Sequence, residues 1–209
     1  ILHLENGMVM GNECELDGGG MYVSDSCEVT LIQDTLFANN AAFGGGIYCD
    51  LNSDLEISLS SIDQNIADLF GGGIYIYETS TNISSSSIQG NSASDGGGIY
   101  CDLNATLNFS NGTISNNQAE NWGGGVYCDD SNPMITGTSI HNNTALLGGG
   151  VFAGWNESAT FTDVSISGNK ATTNGGGISL LESTIGFESV DIYNNQAFES
   201  GGGIHFDIS

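Results

Sequence analysis

Gly44-Gly45-Gly46-Ile47-Tyr48-Cys49-Asp50 (GGGIYCD) is the stretch that decides the fold, because its glycine triplet recurs along the whole chain. Glycine packs no side chain and loses much backbone entropy on folding, so an ordered protein keeps three in a row only for a structural reason. The triplets begin at Gly18, Gly44, Gly71, Gly96, Gly123, Gly148, Gly175 and Gly201. A near-constant period of this kind is typical of a repeat protein.

An Asn-x-Ala motif follows the same period. It occurs at Asn40, Asn65, Asn91, Asn117, Asn143, Asn169 and Asn195, and a divergent copy starts at Asn12. Asn tolerates left-handed backbone geometry, and equivalent Asn side chains in stacked repeats can hydrogen-bond to one another. We therefore predict an asparagine ladder along one corner of the molecule and a glycine ladder along another. In the second repeat, this spacing predicts that Phe37 and Ile32 point inward.

Residues beside these motifs alternate between inward and outward positions, as in Ile47, Tyr48 and Cys49. A period of two is typical of strands. Three short strands in each unit of ~26 residues, with no helical stretch between them, predict a parallel β-helix of about eight coils stacked ~4.8 Å apart. We interpret residues 1–209 as a single all-β domain of this kind.

The repeats resemble those of the polymorphic outer membrane proteins, which are built from FxxN and GGAI motifs. The corresponding segments here include Phe37-Ala38-Asn39-Asn40, Ile62-Asp63-Gln64-Asn65 and Gly44-Gly45-Gly46-Ile47. The third triplet residue is Gly instead of Ala in every copy, and Ile mostly replaces Phe. The resemblance covers essentially the whole chain and implies a right-handed parallel β-helix that is exported to a cell surface, often as an adhesin.

The charge of the chain argues against several classes of partner. Twenty-five Asp and Glu residues and a single basic residue, Lys170, give a net charge of −24. Nucleic acids and anionic membrane surfaces are recognised through Lys and Arg, so neither partner is expected. No stretch approaches the ~18 apolar residues of a membrane-spanning helix, so no membrane insertion of this segment is expected.

No catalytic constellation is recognisable, and we predict that the protein is not an enzyme. The chain has no Arg, which pectate-lyase-type chemistry needs, and Asp129-Asp130 is its only adjacent acidic pair. No cofactor is expected, with calcium as the one alternative. Asp102 and Asp129 share a register on neighbouring coils, and carboxylates ~5 Å apart repel unless water or a cation lies between them.

Six aromatic residues share the outward register that follows the triplet. They are Tyr22, Tyr48, Tyr75, Tyr100, Tyr127 and Phe152. We predict that they form an aromatic stripe on the outside of the rod. Contacts between rings of successive coils stabilise a sheet, whereas an exposed stripe also suits binding to sugars or to a second rod. Both roles stay open at this point.

Cys101 and Cys128 take the same inward register in adjacent coils, which places them within reach of a disulfide. A buried pair of reduced thiols fits the same spacing. Six Asn residues begin N-glycosylation sequons: Asn82, Asn104, Asn108, Asn111, Asn142 and Asn156. In a chain that passes through a secretory pathway, these sequons favour an extracellular location.

These features predict a non-enzymatic, extracellular structural or adhesive rod, such as the repeating unit of a surface filament or appendage. Its expected partners are itself, end to end or laterally, and cell-surface glycans or proteins. Neither end of the sequence shows a helix or charged plug over its strand edges, so we expect the rod to continue in a longer chain or to stack end to end. A glycan-binding module and a carbohydrate-active enzyme of the β-helix class are the alternatives.

Overall fold

The chain forms a parallel β-helix whose coils each contribute strands to four sheets. The structure is a computed structural model that describes residues 1–156 and 158–208. We name the sheets A, B, C and D in the order in which a coil passes through them. Sheets A, B and D have eight strands and sheet C has seven, and every pairing is parallel between equivalent strands of successive coils.

The strand bounds follow the repeat closely. Sheet A contains β1 Leu2–Glu5, β4 Glu28–Ile32, β8 Asp54–Ser58, β12 Ser80–Ser84, β16 Thr106–Ser110, β20 Met134–Thr136, β24 Ala159–Thr162 and β28 Ile185–Glu188. Sheet B contains β2 Met8–Met10, β5 Thr35–Phe37, β9 Ser61–Asp63, β13 Ser87–Gln89, β17 Thr113–Ser115, β21 Ser139–His141, β25 Ser165–Ser167 and β29 Asp191–Tyr193. Sheet C contains β6 Asn40–Phe43, β10 Ile66–Phe70, β14 Ser92–Asp95, β18 Gln118–Trp122, β22 Thr144–Ala145, β26 Lys170–Ala171 and β30 Gln196–Ala197. Sheet D contains β3 Met21–Val23, β7 Ile47–Cys49, β11 Ile74–Tyr77, β15 Ile99–Asp102, β19 Val126–Asp129, β23 Val151–Gly154, β27 Ile178–Leu181 and β31 Ile204–Asp207.

The predicted fold class is confirmed, but the prediction of three strands per coil is wrong. The additional strand is the one in sheet C, which begins directly after the ladder asparagine. Its inward side chain is the small alanine of the motif, as at Ala67, which pairs with Ala41 and is buried. One inward residue per strand is too few to show a period of two in the sequence.

Columns of identical or similar apolar residues fill the interior. The residue directly after each triplet illustrates this, because Ile47, Ile74, Ile99, Val126 and Val151 follow one another in register and are fully buried. Burying one such side chain favours folding by roughly 1.5–3 kcal/mol. The core is therefore continuous along the axis of the rod.

The glycine triplets form the corner between sheets C and D. The first glycine of each triplet has a φ between +61° and +67°, the left-handed region that glycine adopts at little cost. The second and third have no room for a side chain. A Cβ at Gly72 would lie 2.5 Å from the carbonyl oxygen of Gly97, and a Cβ at Gly73 would lie 2.6 Å from that of Gly98. Successive coils thus approach one another through bare backbone.

The asparagine ladder lies at the corner between sheets B and C and is buried. At Asn65, both the backbone N–H and the Nδ2 group donate to Oδ1 of Asn91, at 2.9 and 3.1 Å. Nδ2 of Asn65 also donates to the carbonyl oxygen of Leu36, at 3.0 Å. The same bonds repeat from coil to coil, so each Asn satisfies backbone groups that the corner would otherwise leave unpaired.

The second coil corrects the predicted register by one residue. The ladder member there is Asn39, 1% exposed, and not Asn40, which begins β6. The inward residues are accordingly Leu31 and Leu36, whereas the predicted Ile32 and Phe37 lie on the outer faces. A shift by one residue turns every side chain of a strand to the opposite face. Asn39-Asn40-Ala41 also fits the Asn-x-Ala motif, and Asn39 keeps a constant step of 26 residues to Asn65.

No helix long and apolar enough to cross a membrane is present in the part of the chain that the structure describes.

Candidate functional site

The most specialised part of the surface is the outer face of sheet D, where the predicted aromatic column lies. Its rings follow one another with centroids 4.5 to 5.4 Å apart, mostly in edge-to-face geometry. A second set of apolar side chains, at the sheet C–D corner, leans against it. This second set includes Phe43, Phe70, Trp122 and Leu147. Phe70 stacks on Tyr100, and Trp122 stacks on Phe152 at 5.4 Å.

The aromatic column is consequently not an exposed stripe over most of its length. Tyr75, Tyr100, Tyr127 and Phe152 are only 2 to 5% exposed. Tyr22, in the first coil, is 51% exposed, and Tyr48 is half-buried. Of the two roles left open for the column, the exposed interaction surface is therefore not present in the middle of the rod. The rings form a second apolar core outside the main one. The role observed for the column is therefore structural, through ring contacts between successive coils.

Aspartates at the end of the sheet D strands accept hydrogen bonds from this column. The Tyr75 hydroxyl donates to Asp102 Oδ2 at 2.8 Å, and the Tyr127 hydroxyl donates to Asp129 Oδ2 at 3.3 Å. Burial raises the pKa of Asp102, and the bond from Tyr75 opposes that rise. Burial also raises the pKa of Asp129, with a further contribution from the charge of Asp102. Burial raises the pKa of Tyr75 as well, which keeps its hydroxyl a donor.

These contacts bear on the calcium interpretation of Asp102 and Asp129. The two side chains lie on neighbouring coils, and the charge of Asp102 raises the pKa of Asp129. Each is engaged by a tyrosine hydroxyl, and calcium usually takes 6 to 8 oxygen ligands. In residues 1–156 and 158–208, no group of three or more His, Cys, Asp or Glu side chains is arranged to hold a metal ion. Two carboxylates supply only part of such a ligand set.

A family model described as a right-handed beta helix region matches residues 72–209. The chain belongs to this family. Searches among curated proteins and among solved structures found no match. The right-handed beta-helix assignment agrees with the four-sheet solenoid, and residues before 72 continue the same sheets. The finer resemblance to polymorphic outer membrane proteins stays a prediction.

The cysteines of this beta-helix protein are free thiols. Cys101 and Cys128 are register partners inside the core, and both are fully buried. A hydrogen bond with Cys128, together with burial, raises the pKa of Cys101. Burial raises the pKa of Cys49 to about 12. Of the two alternatives that the sequence left open for Cys101 and Cys128, the structure contains the reduced pair and not the disulfide.

Five of the six sequon asparagines of the beta-helix are at least partly accessible, and one is not. Asn82, Asn104, Asn111 and Asn142 are exposed, and Asn108 is half-buried beside Asn82, to which it donates a 2.8 Å hydrogen bond. Asn156 is 2% exposed, and its Nδ2 donates to the carbonyl oxygens of Cys128 and Gly154. A glycan attaches to this nitrogen, so the predicted glycosylation of Asn156 is wrong for the folded protein.

Sequence reasoning missed two features of this face. Phe43, Phe70 and Trp122 lie just before the glycine triplets, in the segment whose length varies between repeats, so their common column was not apparent. A cavity beside Ser179 was also missed. Its signal was a break in the aromatic register, where Ser179 follows Phe152.

Proposed function

We propose that this protein is a non-enzymatic structural or adhesive rod of the extracellular space, in which the beta-helix spaces, assembles or attaches. The proposal rests on one observation, which is that the most specialised residues of the protein make contacts between successive coils. The Asn ladder, the bare glycine corner and the aromatic column all run along the axis and join each coil to the next. On a spacing of ~4.8 Å, eight coils give a rod roughly 40 Å long.

The asparagine ladder in particular favours a stiff rod. Asn91 and Asn117 are buried, and each Oδ1 accepts two bonds from the coil before it. A buried polar group that loses its partner costs about 1–3 kcal/mol, so bending the rod at this corner is unfavourable. A stiff module of this kind suits a spacer that holds the groups at its two ends a fixed distance apart.

The extracellular part of the proposal is supported by the sequons. Exposed Asn82 lies next to Asn108 on the outer face of sheet A, and Asn111 is exposed a few residues further along the chain. Glycans there would cover one flank of the rod. The net charge of −24 would keep neighbouring rods apart at low ionic strength, so lateral contacts are expected to strengthen when salt or calcium screens it.

Electron microscopy of the native material, combined with mass spectrometry of its glycopeptides, tests the proposal. We expect rods joined end to end or side by side, with glycans on Asn82 or Asn108 and none on Asn156. Recombinant protein made without glycosylation separates assembly from glycosylation, because its rods should still associate at high salt. Isolated, unglycosylated monomers in the native material would contradict the filament and extracellular roles together.

The rival class is a carbohydrate-active enzyme of the β-helix type. It is tested on the same purified protein by incubation with acidic and neutral polysaccharides, followed by measurement of new reducing ends and unsaturated products. Turnover that survives further purification would overturn the non-enzymatic part of the proposal.

A further inference from the structure

The aromatic column of sheet D breaks at Ser179. Ser179 pairs with Phe152 on one side and with His205 on the other, in the register that holds a ring in every earlier coil of the sheet. A cavity of about 180 Å³ lies at this break, with Ser179 in its wall. Phe152, Trp122 and Leu147 provide its apolar lining.

The surroundings of this cavity resemble in part those of Tyr75, which lies four coils earlier in the column. Tyr75 packs on Tyr48 of the preceding coil, lies beside Phe70 from the corner, and donates its hydroxyl to the aspartate of the next coil. That aspartate, Asp102, pairs with Tyr77, two residues after Tyr75.

Some of the corresponding groups surround Ser179. Phe152 is the ring of the preceding coil, and Leu147 and Trp122 come from the corners one and two coils earlier, whereas Asn174 takes the place that Phe70 has before Tyr75. Asp207 pairs with Leu181, two residues after Ser179, and so takes the position that Asp102 has relative to Tyr75. A carboxylate accepts several hydrogen bonds, so Asp207 can receive a hydroxyl in addition to its existing interaction.

A further acceptor lines the same cavity. Oδ1 of Asn174 is buried and has no hydrogen-bond partner among the described residues. A buried acceptor without a partner is uncommon in folded proteins. Apolar ring walls together with acceptors favour a ligand with a flat apolar body and an O–H group, and the carboxylate of Asp207 disfavours an anion.

We propose that the cavity beside Ser179 binds a monocyclic phenol, whose ring packs against Phe152 and Trp122 and whose hydroxyl donates to Asp207. The volume is sufficient, because a cavity of about 150 Å³ lined by apolar side chains can hold benzene. The phenol can be a free small molecule or the side chain of a tyrosine in another polypeptide. The site does not depend on whether the rods assemble.

Titration with p-cresol, followed by NMR of the tryptophan indole N–H groups, tests this site in the intact protein. The chain has two tryptophans, and only Trp122 lines the cavity, whereas Trp155 is 45% exposed. We expect the Trp122 resonance to shift saturably, with a dissociation constant on the order of a millimolar. The Trp155 resonance, assigned with Trp155→Phe, should not move.

Toluene and two variants define the chemistry. Toluene has the shape of p-cresol without the hydroxyl and should bind roughly tenfold more weakly, because the bond to a charged acceptor is lost. Ser179→Tyr fills the cavity from within and should abolish binding, whereas Ser179→Ala should bind p-cresol within about twofold of the parent protein. An acetylated Gly-Tyr-Gly amide tests whether a tyrosine in a peptide can enter as a free phenol does.

Three outcomes would overturn the proposal. The first is an unshifted Trp122 resonance at saturating p-cresol. The second is equal binding of toluene and p-cresol, which would exclude recognition of the hydroxyl. The third is binding of methyl glucoside in preference to p-cresol, lost in Ser179→Tyr, which would make the cavity a sugar site. If Ser179→Tyr does not fold, the Trp122 and Trp155 resonances of the parent protein still locate the ligand.

Discussion

The hydroxyl of Tyr75 donates a 2.8 Å hydrogen bond to Oδ2 of Asp102, one coil further along the rod. Tyr75 is 5% exposed, so this carboxylate supplies the acceptor that its buried hydroxyl needs. In return, the bond opposes the rise in the pKa of Asp102 that burial causes. The hydrogen bond thus satisfies the buried hydroxyl and offsets part of the cost of burying the carboxylate.

Removing the hydroxyl should weaken the rod at this point. Tyr75→Phe keeps the ring and loses the bond to a charged, half-buried acceptor, so we expect the free energy of unfolding at pH 7 to fall by about 1–2 kcal/mol. Urea unfolding followed by circular dichroism measures it. Tyr193→Phe, at a half-exposed tyrosine, is the control and should change it by less than about 0.5 kcal/mol. Equal effects of the two variants would show that the bond to Asp102 contributes nothing.

Stability should decrease as the pH rises from the acid range. Burial raises the pKa values of Asp50, Asp95, Asp102 and Asp129 in the folded protein. The folded state therefore holds these protons more tightly than the unfolded chain does. The resulting stabilisation is complete below the unfolded pKa of ~3.9 and is lost as the pH rises through the raised folded values. Urea unfolding at several pH values from about 4 to 8 should show this fall and then a plateau.

Matched variants separate this effect from general charge repulsion. Asp102→Asn and Asp68→Asn remove the same charge, but Asp68 is exposed whereas Asp102 is half-buried. We expect only Asp102→Asn to flatten the pH dependence measurably. A stability that increases over this pH range, or the same slope in both variants, would be inconsistent with burial as the cause.

The corrected register at the second coil can be tested with two adjacent residues. Asn39 accepts from Asn12 and donates to Val9 and Asn65, all within 3.0 Å. Asn39→Ala leaves these buried groups unpaired, and we expect it to lower the free energy of unfolding by about 2–3 kcal/mol. Asn40→Ala, at the outer position of β6, should cost less than about 1 kcal/mol. A larger loss of stability in Asn40→Ala than in Asn39→Ala would instead support the register with Asn40 in the ladder.

Two glycines distinguish lack of space from backbone conformation. In Gly72→Ala, the new methyl group would meet the carbonyl oxygens of Ser92 and Gly97, and we expect a loss of more than about 3 kcal/mol or failure to fold. Gly11 has a φ of +65° but nothing within 4 Å of an added Cβ. Gly11→Ala should therefore cost only about 1 kcal/mol. Thermal unfolding of both variants makes the comparison, and similar losses would rule out close coil-to-coil contact as the reason for the triplet.

Much of the fold could be predicted because each structurally required residue type occurs at the same position in many repeats. The glycine triplet that contains Gly45 recurs in every repeat, and the motif of Asn65 recurs at Asn91. This constant spacing indicates stacked coils before any contact is known. The second coil was misassigned because Asn39 and Asn40 both fit the motif. The strand in sheet C was missed because Ala67 is the only buried side chain of β10.

The sequence by itself determined the period, the parallel stacking, the asparagine corner, the glycine corner and, outside the second coil, the inward columns. Each of these depends on residues a fixed distance apart in the chain. Only the tertiary structure decided which outward side chains meet water. Tyr100 points away from the main core, yet Phe70 from the neighbouring corner covers it, and Asn156 in its sequon lies beneath the surface. Exposure depends on how a corner folds over the adjacent sheet, and the alternation of residues along one strand carries no information about that neighbour.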